Sequence, residues 1–256
     1  MKTVLLCLHG WGGSKESFTE LREALNQSLR SDSGQALKGS DLKILTPDLP
    51  GFGSEPDPKE PWTTDDYADW VVRWLKKQPE YSQLTAQDSQ LLLLGHSHGG
   101  RIAINLVAKN KLYPKHLYLC AAAGIRHPRH IKRIIGLTLA KTGKSLLKIR
   151  GLRSLQPLGK KLLYRLVRVH DYEQASNVMK DTLRKVSAED ARPLLSSIKI
   201  PTDIFWGEQD GMTPFSDALL MHAEIKGSHL HRYPGIRHRV HRDKAEEIGK
   251  VILKML

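Results

Sequence analysis

Cysteine is nearly missing from this 256-residue chain, which holds only Cys7 and Cys120. Both sit in apolar, strand-like runs. They read as buried, reduced thiols, which excludes a disulfide framework and implies a reducing, cytoplasmic setting. Long apolar runs are missing too, and none approaches the roughly 20 residues of a membrane-spanning helix. Met1-Lys2 followed by Val4–Leu8 mimics the start of a leader, but the apolar run is too short and His9-Gly10-Trp11 follows at once. The segment reads as a core strand instead. Internal repeats and low-complexity tracts are absent, which excludes solenoids and fibrous arrays. The most localised absence is of acid. Residues 125–170 hold 13 lysines and arginines and no aspartate or glutamate, and residues 125–199 hold 18 against 5. The whole formal charge of +13 lies there, and the rest of the chain is neutral.

Against these absences stands one dense signal. Leu91-Leu92-Leu93-Leu94 runs directly into Gly95-His-Ser-His-Gly-Gly100. The leucines read as a buried strand, and Ile102, Ala103, Leu106 and Val107 read as the apolar face of a following helix. Small residues on both sides of Ser97 let the chain turn sharply between the two. Such a turn lifts a hydroxyl clear of the sheet and sets it at a helix N-terminus, so Ser97 reads as a nucleophile.

A serine hydroxyl needs a base within reach and an acid to orient that base. Ile200–Gly207 reads as a strand that ends in Glu208-Gln209-Asp210-Gly211. A carboxylate just past a strand end sits at the carboxyl edge of an open sheet, where such sheets hold their sites. Asp210 is the candidate acid, with Glu208 as the alternative. His229–Tyr233 reads as a last short strand, and the loop Pro234-Gly-Ile-Arg-His238 follows. His238 is the candidate base and His241 the alternative. The N-terminal strand Val4–Leu8 leads into His9-Gly-Trp-Gly-Gly13, a turn that exposes backbone N–H groups. The N–H groups of Trp11 and His98 are the candidate oxyanion hole. His96-x-His98 and His229-x-His231 have ligand-like spacing, but i and i+2 residues diverge on a turn and no carboxylate follows closely. No metal and no cofactor are expected. His116, His222 and His229 read as surface or strand-edge residues.

In these segments, together with Asp48-Leu-Pro-Gly-Phe-Gly53, the chain resembles the α/β-hydrolase-fold superfamily of lipases, esterases and peptidases. The resemblance implies a mostly parallel, doubly wound α/β sheet, here without the two antiparallel strands that usually begin it. It implies that the 48–53 segment, after a strand at Leu42–Thr46, shapes the site, with Gly10 and Phe52 on the substrate pocket. It also implies a helical cap inserted where the basic segment lies. The expected domains are a core of residues 1–123 and 197–256 and a basic cap of residues 124–196. Arg237 stands where the family usually has a small residue, next to the proposed base.

Within the cap, Lys160–Arg168 places Leu162, Leu163, Leu166 and Val167 on one helical face and its cations on the other. His130–Leu147 shows a looser version, and Asp171–Lys185 reads as helical with mixed charge. Three roles fit the basic face: solvation, an anionic membrane surface, or steering of an anionic substrate. Specific nucleic-acid binding lacks a groove-reading motif or a stacking platform. Trp62, Trp70 and Trp74 are placed in one helix, with Trp70 and Trp74 as core anchors. Residues 31–41 read as a surface excursion.

The expected activity is serine hydrolysis of a small ester or related acyl compound. Lipid-directed hydrolysis and ligand binding without turnover are the alternatives, because the resemblance extends to receptors that keep the triad. Thioesters, amides and C–C bonds suit the same residues.

Overall fold

The computed structural model describes residues 2–29, 41–82, 89–127 and 175–256. Among them, six strands form one sheet: β1 (Lys2–Leu8), β2 (Asp41–Leu45), β3 (Ser89–His96), β4 (His116–Cys120), β5 (Thr202–Gly207) and β6 (Ser228–Tyr233). Their order is β2-β1-β3-β4-β5-β6, and every pair is parallel. Leu91–Leu94 and Leu5–Leu8 are all buried, as expected of inner parallel strands covered on both faces.

The helices are α1 (Thr19–Ser28), α2 (Thr64–Lys76), α3 (Pro79–Ser82), α4 (His98–Ala108), α5 (Asn177–Ala188), α6 (Arg192–Leu195), α7 (Phe215–Glu224), α8 (Val240–Asp243) and α9 (Ala245–Leu253). Helix α2 starts at a capping box in which Thr63 and Asp66 satisfy each other's backbone N–H groups. Trp62 therefore lies before the helix rather than inside it, and its N–H donates to the Thr182 hydroxyl at 3.0 Å. The core side of α2 is Tyr67, Ala68, Val71 and Leu75. Trp70 and Trp74 are only half-buried and stack on each other, so they flank the core instead of anchoring it. Two indoles at i and i+4 meet along the helix surface whether or not they face inward.

The chain runs from β1 to β2 on one side, then returns past β1 to β3 on the other. This reversal opens a crevice beyond the carboxyl ends of β1 and β3, where open sheets bind ligands. Leu8 pairs with Gly95 in register, so the turn after β1 and the turn after β3 leave the sheet side by side.

His116 is not a surface residue. It is buried on β4, and its Nε2 lies 2.7 Å from the Asp203 carboxylate on neighbouring β5. His231 on β6 takes the other oxygen of Asp203 at 2.5 Å. His222 and His229 are exposed, as expected.

The predicted helices at 130–147 and 160–168 lie outside the described residues, as does nearly all of the 31–41 excursion. The predicted helical stretch 171–185 corresponds to α5, whose first described neighbour is residue 175. Helix α5 is tied to the core at its C-terminal end. There the guanidinium of Arg101 on α4 donates to the carbonyls of Val186 and Glu189. The Glu189 carboxylate in turn accepts the Thr64 N–H at the start of α2, at 3.1 Å.

A Cβ at Gly99 would collide with the carbonyl of Leu8, so only glycine lets α4 approach β1 this closely. Gly99→Ala is expected to lower stability by about 1–3 kcal/mol or more. Gly211→Ala, whose Cβ would meet nothing within 4 Å, is expected to stay within about 0.5 kcal/mol of the parent. Urea unfolding midpoints compare the two.

Candidate active site

Ser97 occupies the one-residue turn between β3 and α4 with φ 52° and ψ −115°. A residue with a Cβ reaches this region at a cost of about 1–3 kcal/mol and stays there only when its surroundings fix it. Here they do. The Ser97 N–H donates to Cys120 O at 3.1 Å, and its carbonyl accepts from Arg101 N at 3.1 Å and Ala123 N at 2.8 Å. The backbone is thus held by β4 on one side and its own helix on the other.

Asp210 and His238 come from two loops beyond β5 and β6, and the structure brings them together. The His238 Nδ1–H donates to Asp210 Oδ2 at 2.7 Å. The Asp210 side chain is fully buried, and that of His238 is 12 % exposed. The other Asp210 oxygen accepts the Met212 N–H at 2.7 Å and the Thr213 N–H at 3.0 Å. Burial pushes the Asp210 carboxyl up, but His238, the Met212 N–H and the Thr213 hydroxyl outweigh it and hold the group below its ordinary value. Glu208 instead pairs with Arg232 at 2.6 Å. His241 is buried on α8, with its ring on His96. Arg237 is exposed.

Thr213 is a residue that sequence reasoning missed. Its hydroxyl sits 2.8 Å from Asp210 Oδ2 and 3.3 Å from His238 Nδ1. Its carbonyl accepts the indole N–H of buried Trp206 at 3.0 Å. A threonine three residues after the acid, as in an Asx turn, was the available signal.

The turn after β1 is fixed by His9. Its Nε2 accepts the Leu49 N–H at 2.9 Å, which leaves the ring proton on Nδ1, 2.8 Å from Gly10 O. Asp48 ties the neighbouring loop down, with one oxygen on Lys15 N at 2.6 Å and the other on Ser54 N and Oγ at 2.9 and 2.8 Å. Gly10 lies directly against the Ser97 turn. A Cβ there would stand 2.9 Å from His96 Nδ1 and 3.0 Å from Ser97 Cβ. The Trp11 ring meets the rings of Phe52 at 4.9 Å and His98 at 5.4 Å, edge to face. Trp11, Gly12, Gly51, Phe52, Asp57, Ala175, Ser176 and Met179 line a cavity of about 460 Å³. Phe52 is therefore a wall of that cavity; Gly10 is not among its lining residues and lies beside Ser97.

The histidines around the turn are held neutral. Burial, then Arg101 and His9, push His98 down to about 3. Burial, then Arg242 and His238, push His241 down to about 3. Burial lowers His96 well below its ordinary value, helped by His241 and His238, and burial also lowers His9. Asp210 is thus the formal charge that orients His238, with neutral rings packed behind the pair.

Among the described residues, no helix is long and apolar enough to cross a membrane. The alpha/beta hydrolase fold family matches residues 3–245. Uncharacterized hydrolase YugF of Bacillus subtilis (strain 168) is 26% identical over 265 residues, covering 98% of this chain and 89% of that protein. Lipase 1 of Psychrobacter immobilis is 27% identical over 216 residues, covering 80% of this chain and 62% of the lipase, so the match spans under two thirds of that relative. The crystal structure of the enol-lactonase from Burkholderia xenovorans LB400 superposes with a TM-score of 0.68 at 16% identity, covering 99% of this chain and 91% of that one. The elbow at Ser97, the parallel sheet and the match over nearly the whole length make the conclusion plain: the chain belongs to the α/β-hydrolase-fold family.

Proposed function

We propose that the protein is a serine hydrolase that cleaves carboxylic esters through an acyl-enzyme, with Ser97, His238 and Asp210 as its triad. The observation that carries this reading is the 2.7 Å bond from His238 Nδ1 to the buried Asp210, with Ser97 presented in its left-handed turn. That bond fixes the tautomer and leaves His238 Nε2 as the base. Ser97 Oγ attacks the ester carbonyl carbon while His238 takes the hydroxyl proton. The tetrahedral oxyanion is held by the N–H groups of Trp11 and His98. Collapse breaks the bond to the alkoxy group, which leaves as an alcohol with the proton from His238. Water, deprotonated by His238, then attacks the acyl-enzyme and releases the acid and free Ser97.

The cavity beside Trp11 and Phe52 takes part of the substrate. The relative named lipase supports ester chemistry. The basic segment within a cap over residues 124–196 favours, as a finer reading, an anionic substrate or an anionic lipid surface. The two free, buried thiols suit a cytoplasmic setting.

A fluorophosphonate probe read by intact mass tests the nucleophile. Wild type is expected to gain one adduct and Ser97→Ala none, with ester turnover lowered by about four to six orders of magnitude in the variant. A Ser97→Ala protein that still labels would refute the assignment. His238→Ala is expected to cost far more rate than His241→Ala, and the reverse order would move the base to His241.

The neutral histidines set the acid response. A folded pKa of about 3 against 6.5 means that the unfolded chain binds protons that the folded one does not. Their stabilisation is complete above pH 6.5 and is lost as pH falls toward 3. Urea midpoints measured from pH 8 to 4 are expected to fall from about pH 6.5 downward. A flat profile down to pH 5 would contradict the buried neutral rings.

A further inference from the structure

The four rings near the elbow are not equivalent, and His96 stands out. It is the last residue of β3, immediately before Ser97, and it is buried. Its Nε2 lies 3.1 Å from the backbone carbonyl of His238. A carbonyl only accepts, so Nε2 carries the proton and donates it. The lone pair is then on Nδ1, which is the atom facing Gly10. The ring also lies 4.9 Å from the His238 ring and stacks on His241 at 3.7 Å with a tilt of 34°. His241 is itself braced edge to face by Phe18 at 5.5 Å.

One side chain therefore touches three parts of the site that the fold delivers separately: the nucleophile turn, the turn after β1, and the loop that carries the base. At its near end that loop is held where Glu208 N donates to Tyr233 O at 3.1 Å and Gln209 N to Ile236 O at 3.0 Å, and beyond His238 it enters α8, whose Val240 and His241 are buried. These bonds fix residues 233–236 to the acid's loop. The bond from His96 reaches His238 itself and ties it to β3.

We infer that His96 is a positioning residue for the base, its Nε2–H holding the His238 backbone at a fixed distance from Ser97. The inference rests on the triad proposed above and adds a residue to it. His96 exchanges no proton with substrate; it acts through His238. Its neutrality suits the role, since burial and the two neighbouring histidines keep it in the single-proton form that has one donor for one carbonyl. The effect falls on the chemical step rather than on substrate binding, because Trp11 and Phe52, not His96, wall the cavity.

The full-length chain with His96→Phe and His96→Gln tests this. Phe keeps a ring and loses the donor, whereas Gln places an N–H near the position of Nε2. Two readouts are taken on folded protein, matched by circular dichroism. The first is the downfield proton resonance of the His238 Nδ1–H bonded to Asp210, assigned by its loss in His238→Gln. The second is kcat and KM for a p-nitrophenyl ester, with the rate of phosphonylation. In His96→Phe the resonance is expected to broaden or vanish, and kcat and phosphonylation to fall on the order of tenfold to a hundredfold with KM nearly unchanged. His96→Gln is expected to restore the resonance and to recover kcat to within about threefold of wild type. If Phe is not accommodated, His96→Leu, smaller and also without a donor, takes its place. A donor-less variant with the wild-type resonance and kcat would overturn the inference, and so would a folded His96→Gln as impaired as His96→Phe. A wild-type protein that shows the resonance but neither labels nor turns over would refute the triad's activity, while the resonance in the variants still decides the role of His96.

Discussion

The left-handed turn at Ser97 is the constraint on which the other parts of the site depend. A serine at φ 52° costs free energy, and the fold offsets it with backbone bonds to β4 and α4 and with glycines that let α4 press against β1. Relaxing the turn would withdraw Ser97 toward the sheet and move the N–H of His98, the first residue of α4. The Ser97 side chain and the His98 N–H, the proposed nucleophile and oxyanion donor, are therefore set by a single backbone geometry. A second non-glycine left-handed residue, Ala121 at φ 45°, follows β4, and its carbonyl lies 3.3 Å from the Thr213 hydroxyl, whose proton goes to Asp210 Oδ2 at 2.8 Å. Left-handed residues thus stand at the ends of two neighbouring strands, one at Ser97 and one beside the loop of Asp210.

Hydrogen bonds then fix which nitrogen of each histidine carries its proton. Leu49 N–H leaves the His9 proton on Nδ1, the His238 carbonyl keeps the His96 proton on Nε2, and Asp210 keeps the His238 proton on Nδ1. Three rings of the same chemistry hold three different roles because their partners differ. Of these three, His238 alone bonds to a carboxylate and retains some exposure, and those are conditions under which an imidazole accepts and returns a proton. The neutral rings behind it leave Asp210 without a competing cation.

The frame of the fold was legible because its signals are local. A run of four leucines between glycine-rich turns reads as an inner parallel strand, and G-H-S-H-G after it reads as an elbow, since both depend on neighbours in sequence. Asp210 and His238 stood out for the same reason, each lying just past a strand, and the structure shows that the two side chains meet. What escaped depends on contacts across the sheet. His116 looks like an edge residue until Asp203 on the adjacent strand is seen to meet it. Trp70 and Trp74 have the spacing of a core stripe, yet Tyr67, Val71 and Leu75 take the buried face. Thr213, His9 and His96 act through partners 3, 40 and 142 positions away, and only the first of these lies within reach of a motif.

The structure of a phosphonate adduct, determined by crystallography, tests the arrangement of nucleophile and oxyanion donors most directly. Phosphorus is expected on Ser97 Oγ, with the phosphoryl oxygen about 2.7–3.1 Å from the backbone nitrogens of both Trp11 and His98. An adduct on another residue, or a phosphoryl oxygen turned away from both N–H groups, would contradict it.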